Sequence, residues 1–173
     1  MAALFRQTNR RLSALLPLFS SIALVLVSIT PLGLPHLNGI APLLAVMAVF
    51  YWSIFRADLM SMLDAFLIGL LLDLLGGGPP GLNAATLLLI HQLGVSQRRV
   101  FLGSSFLVNW TAFALVAGAV LPISWLVVSL LHWSLLPTAP VLAQFLLSLA
   151  IYPAVYWMFS RLERRLPRPE EPF

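Results

Sequence analysis

From residue 12 to residue 160 the chain is a succession of apolar runs, at 12–29, 40–55, 59–75, 82–96, 100–121 and 141–160, parted by short turns rich in Pro, Gly or charge. Runs of about 17 to 25 apolar residues cross the hydrocarbon of a bilayer as helices, because a backbone there must satisfy its own hydrogen bonds. The pattern predicts an all-α, polytopic membrane helical bundle of about six transmembrane helices. The second, third and fourth runs are short and are read as untilted or incompletely spanning. Composition agrees: 60% of the 173 residues are apolar, 9% are charged, and the mean hydropathy is +0.96, which no soluble domain of this size requires.

Charge orients the bundle. All ten basic residues are Arg, at positions 6, 10, 11, 56, 98, 99, 161, 164, 165 and 168. With a cytoplasmic N-terminus, six spans bring every one of them to the cytoplasmic side, whereas the opposite loops, 31–39, 76–81 and 132–140, hold no Arg, Lys, Asp or Glu. The positive-inside rule therefore predicts that both termini are cytoplasmic. The isoelectric point near 10.7 has the same cause and does not point to nucleic acid. Residues 12–29 are too long for the apolar part of a cleaved signal and are read as a retained first span. Trp52 and Trp157 each precede a cytoplasmic Arg by four residues, and Trp125 and Trp133 flank the other face, as an aromatic belt would. Residues 100–131 would measure roughly 48 Å as one helix, so Pro122 is expected to split them into a span and an interfacial leg. A single helical domain over 1–165 and a disordered cytoplasmic tail over 166–173, with its three prolines, complete the expected organisation.

Polar groups within the hydrocarbon are costly, which singles out Asp64 and Asp73 in the third run. Nine residues apart, they fall on nearly opposite helix faces and do not form a carboxylate pair. Asp73 lies close to a helix C-terminus, where a negative charge meets the wrong end of the macrodipole. It needs donors, and the nearest are the amides of the turn Gly76-Gly77-Gly78-Pro79-Pro80-Gly81 and the free N–H groups that open the next run at Leu82-Asn83. Asp73, Gly76, Gly77, Gly78, Gly81 and Asn83 are thus read as a structural lock on a helical hairpin, with a proton or ligand site as the functional rival. Asp64 and His91 fall at similar depth, roughly 9–10 Å from the cytoplasmic side, and form a candidate buried polar pair. It is read as a structural hydrogen bond or half of a proton relay; alternatively, Asp64 reaches the cytoplasmic interface.

Nothing in the sequence assembles a catalytic set. No nucleophile elbow, His-Glu-x-x-His helix or Gly-x-x-x-x-Gly-Lys loop occurs. The absence of Cys excludes thiol catalysis and a Cys metal site. The three consecutive glycines follow a membrane helix and lack a Lys, so they are read as a turn and not a phosphate cradle. His36, Asn38, Asn83, His132, Ser134 and Thr138 are the clear polar side chains of the outer loops, a thin set for recognising a small polar molecule. No cofactor is expected.

The run Phe50-Tyr51-Trp52-Ser53-Ile54-Phe55-Arg56-Ala57-Asp58-Leu59, then Phe66-Leu67-Ile68-Gly69-Leu70-Leu71-Leu72-Asp73, then Gly77-Gly78-Pro79-Pro80-Gly81-Leu82-Asn83 resembles the MreD family of bacterial rod-shape-determining proteins. That family carries a tyrosine-tryptophan segment ending in Arg-Pro, a Phe-x-x-Gly-Leu-x-x-Asp helix and a glycine-rich turn ending in Pro-Leu-Gly. Ala57 stands where Pro is common, and Pro80 where Leu is usual.

The resemblance implies a non-catalytic component of the bacterial inner membrane, in the cell-elongation complex that builds lateral peptidoglycan. Its implied partners are MreC, the actin-like MreB and the RodA–transpeptidase pair. It also implies a fold similar to the substrate-binding subunits of energy-coupling-factor transporters, and hence the alternative of a vitamin-like small-molecule binder. Under the scaffold reading, the turn at 77–83 and the apolar leg containing Trp125 and Trp133 are the expected partner contacts, with membrane lipid around the remainder.

Overall fold

The computed structural model describes residues 2–30, 41–133, 136–164 and 166. Among them are six helices: α1 (Ala2–Ile29), α2 (Leu44–Phe55), α3 (Met62–Gly76), α4 (Leu82–Phe101), α5 (Phe106–Leu131) and α6 (Ala139–Glu163). His36, Asn38, Ser134, Arg165, Arg168 and the tail 167–173 lie outside the described residues. Leu166, expected in that tail, is buried in the core.

The centre of the fold is its shortest helix. Eleven of the twelve residues of α2 are buried, and at 1.5 Å per residue it measures roughly 18 Å, well short of a 30 Å hydrocarbon layer. α1, α3, α4, α5 and α6 all pack around it, in that order, each touching the next in the series. The ring is not closed: the backbones of α1 and α6 do not approach to within 8 Å among the described residues. Because α2 is enclosed by protein and not by lipid, its length is not set by the bilayer. Its start is satisfied from α6, where Gln144 Nε2 donates to the Ala41 carbonyl at 2.7 Å and Ser148 Oγ accepts the Leu43 N–H at 3.0 Å.

Two glycines allow the closest helix approaches. A Cβ at Gly69 of α3 would stand 2.4 Å from Ala84 Cα of α4, and one at Gly94 of α4 would stand 2.8 Å from Ser53 Cβ of α2. Small residues at such crossings let backbones pack where lipid offers no hydrophobic drive between helices. Aromatic rings fill the rest of the core: Phe113 stacks on Tyr152 with centroids 4.3 Å apart, and Tyr51 on Phe55 at 4.6 Å. The outer surface is apolar, with Leu74, Leu89 and Leu115 each more than 70% exposed. A bilayer covers such a surface; water would not tolerate it.

Three expectations are corrected here. Pro122 does not split its segment, and α5 runs unbroken through it for 26 residues. A break would create two new helix ends, each with up to four unpaired backbone groups. An internal Pro forfeits a single bond, the smaller loss in apolar surroundings. Arg98 and Arg99 do not form a turn but the last turn of α4, where cations complement the macrodipole. Trp52 is not in an interfacial belt: it is fully buried, and its Nε1 donates to Ser20 Oγ at 3.1 Å. Trp157 is exposed, with the Arg161 guanidinium 4.0 Å above its ring.

By length and composition, α5 and α6 are each long and apolar enough to cross a membrane on their own.

Candidate functional site

The tip of the α3–α4 hairpin is built around Asp73, which is buried at 4% exposure. Its Oδ2 accepts the N–H groups of Gly81 at 2.9 Å and Ala84 at 3.2 Å, and its Oδ1 accepts that of Asn83 at 3.0 Å. Gly81 is the N-cap of α4, so Asn83 and Ala84 occupy the second and third helical positions, two of the donors that a helix start leaves unpaired. A carboxylate in α3 thereby caps α4. Its charge, unfavourable at the end of its own helix, faces the positive end of the next one.

The turn supplies the required geometry. Gly77, the C-cap of α3, has φ +66°, and Gly81 has φ +91°. Both are left-handed conformations that glycine adopts without a Cβ penalty. Among the described residues Gly76, Gly77 and Gly78 donate nothing to Asp73; they shape the turn. Asn83 contributes its backbone N–H and not its side chain.

Asp64 and His91 are not a pair. Asp64 Oδ2 accepts from the Ser61 N–H and from Ser61 Oγ, both at 2.8 Å, while the Asp64 N–H donates back to Ser61 Oγ at 3.2 Å. This reciprocal capping box starts α3 and occupies the carboxylate. The pattern Ser61-x-x-Asp64 ahead of an apolar run carries that signal in the sequence. His91 Nε2 instead lies 3.0 Å from the Met60 carbonyl, tying α4 to the turn after α2, and its Nδ1 is buried without a partner among the described residues.

The two tryptophans of the expected contact surface differ. Trp125 is half-buried, its Nε1 donating to the Leu136 carbonyl at 3.2 Å. Trp133 follows α5 with φ +50° and is 91% exposed. A bulky residue in a left-handed conformation, with its ring presented outward, is uncommon.

Other polar contacts were not foreseen from the sequence. Arg56 is buried and forms a bidentate pair with Asp58, Nε to Oδ1 and Nη2 to Oδ2, each at 3.1 Å. Tyr51 Oη donates to Glu163 Oε2 at 2.7 Å, across 112 positions of sequence. Neither pairing has a local sequence signature that separates it from an ordinary charged helix end. No cluster of three or more potential metal-ligating side chains occurs among the described residues.

A family model described as rod shape-determining protein MreD matches residues 8–162, from within α1 almost to the end of α6. The chain belongs to the MreD family. Searches of curated proteins and of solved structures returned no match. MreD membership makes the chain an inner-membrane protein of the cell-shape system. The Asp73 cap and the glycine turn lie inside the matched region, as do the buried aromatic residues of α2.

Proposed function

We propose that the chain is a non-catalytic scaffold of the cell-elongation complex. In this reading it passes the membrane six times with both termini cytoplasmic, and it holds MreC, and through it MreB and the RodA–transpeptidase pair, at sites of lateral peptidoglycan synthesis. The observation that carries the reading is the MreD match over nearly the whole chain. The use of the ionisable side chains supports it: Asp73, Asp64, Arg56 with Asp58, and Glu163 with Tyr51 are each engaged in contacts within the bundle. A scaffold needs a rigid shape and an outward contact surface, and no reacting group.

The short α2 is compatible with six passages, because it is surrounded by protein and its flanking backbone groups are satisfied by Gln144 and Ser148. In this topology the α3–α4 tip and Trp133 lie on the non-cytoplasmic side, where a single-span partner with an external domain would be met. The hairpin lock at Asp73 keeps that tip in one conformation.

The test is depletion in a rod-shaped host combined with co-purification. Loss of the chain should round the cells, and tagged MreC should recover it from solubilised membranes. Rod shape that survives depletion, with no MreC association, would sink the proposal.

A further inference from the structure

A cavity lies between α1 and α6, whose backbones do not meet among the described residues. About 600 Å³ lies at the end of the bundle that carries the α3–α4 turn, bounded by the end of α1, the start of α2, the hairpin tip, the second half of α5 and the first half of α6. That size falls within the range of small-molecule sites. The cavity stands where α1 and α6 fail to meet, since Ser28 and Ile29 of α1 line one side and Gln144, Leu147 and Ile151 of α6 another. An opening between two helices of a membrane bundle faces the bilayer sideways.

The lining narrows the occupant. Among the described residues no Asp, Glu, Arg, Lys or His borders the space, and the Asp73 carboxylate is taken up by its three backbone donors. Leu72, Leu87, Val120 and Leu121 make apolar walls, while Thr86, Ser124 and Asn83 add uncharged polar groups. A charged ligand would be desolvated there without a counter-charge, at a cost of several kcal/mol. A single flexible hydrocarbon chain suits both the size and the uncharged lining.

We propose that this cavity takes one acyl chain of a membrane phospholipid, entering between α1 and α6 from the leaflet that faces the α3–α4 turn. The chain lies along Leu72, Leu87 and Val120, and its ester group accepts from Ser124, since the hydroxyls of Ser28, Thr30 and Thr86 already donate to carbonyls of their own helices. The site rests on the membrane location that family membership shows, not on the scaffold reading, so it stands or falls separately from MreC binding.

The test uses the full chain in nanodiscs of dioleoylphosphatidylglycerol and dioleoylphosphatidylethanolamine, released for native mass spectrometry. One retained phospholipid is expected, with little preference between the two headgroups because no charged side chain among the described residues borders the space. Ser124→Phe or Val120→Phe, each of which fills the cavity, should lower that occupancy about tenfold. Leu126→Phe, on the exposed face of the same helix, should leave it unchanged. Size-exclusion and melting profiles show that the variants are folded.

A wild-type measurement needs no variant. A phospholipid with a diazirine at mid-chain should label Leu44 or Leu121, which line the cavity and are only 6% exposed. The proposal is overturned by a wild-type protein without bound lipid, by full retention in both filled variants, or by labelling confined to lipid-facing positions such as Leu126 and Leu130. A strong preference for the anionic headgroup would also overturn it.

Discussion

Asp73, in the last turns of α3, accepts the backbone N–H of Ala84 in the first turn of α4 at 3.2 Å, and the same carboxylate holds Gly81 and Asn83. One side chain thus replaces the local cap that α4 lacks. Directly beneath, Gly69 of α3 meets Ala84 backbone to backbone, so the hydrogen bonds and the helix crossing fix the same hairpin.

Replacing Asp73 with Ala strands three buried or half-buried backbone donors and should cost about 3–5 kcal/mol, since each donor left unpaired costs about 1–3 kcal/mol. Asp73→Asn keeps the volume and one acceptor oxygen but turns an NH2 group toward donors, for a smaller loss of about 2 kcal/mol. Unfolding titrations in mixed micelles give both values. An Ala variant as stable as the parent would remove the lock.

Gly69→Ala places a methyl 2.4 Å from Ala84 Cα, a backbone atom that cannot swing aside. The hairpin must open, and a loss of about 1–3 kcal/mol is expected. Gly76→Ala meets nothing within 4 Å and should be neutral or slightly stabilising, as Ala is the better helix former. Gly77→Ala, at φ +66°, should cost about 1–2 kcal/mol. Equal melting temperatures for all three would contradict the geometry.

Gln144→Ala deprives the Ala41 carbonyl of its donor, and Ser148→Ala deprives the Leu43 N–H of its acceptor. Each should destabilise by about 1–3 kcal/mol, the cost of leaving a polar group at the helix start without its partner. Amide exchange of Leu43 should quicken in the Ser148 variant. Unchanged protection there would show that the bond is not held.

Trp133→Ala removes a ring that is 91% exposed, so melting should stay within about 0.5 kcal/mol of the parent. Under the scaffold proposal, recovery with MreC should fall. Trp125→Ala, which breaks the bond to Leu136, should instead lower stability by about 1 kcal/mol. The pair separates a contact residue from a packing residue: a Trp133 variant that loses stability, or one that keeps full MreC recovery, counts against that assignment.

The helical class and the apolar runs were legible because they rest on the transfer energy of long stretches and on the punctuation of Pro, Gly and Arg. Asp73's need for donors followed from its place at a helix end, and the candidate donors all lay within eleven residues. The Ser61–Asp64 capping box was equally local, yet depth alone favoured His91 over the nearer hydroxyl. Trp52 was misplaced because an interfacial and a buried tryptophan look alike four residues from an Arg.

Residue composition and order by themselves determined the membrane class, the helix-forming segments and the hairpin turn, since each depends on interactions between near neighbours and on the cost of polar groups in hydrocarbon. Only the tertiary structure decided that α2 is central, that Gln144 and Ser148 reach it from about a hundred residues away, and that α1 and α6 do not meet among the described residues. A membrane helix is apolar on the lipid side and on the core side alike, so no periodicity marks which face is buried. Long-range packing alone makes that choice, and with it the place of the cavity.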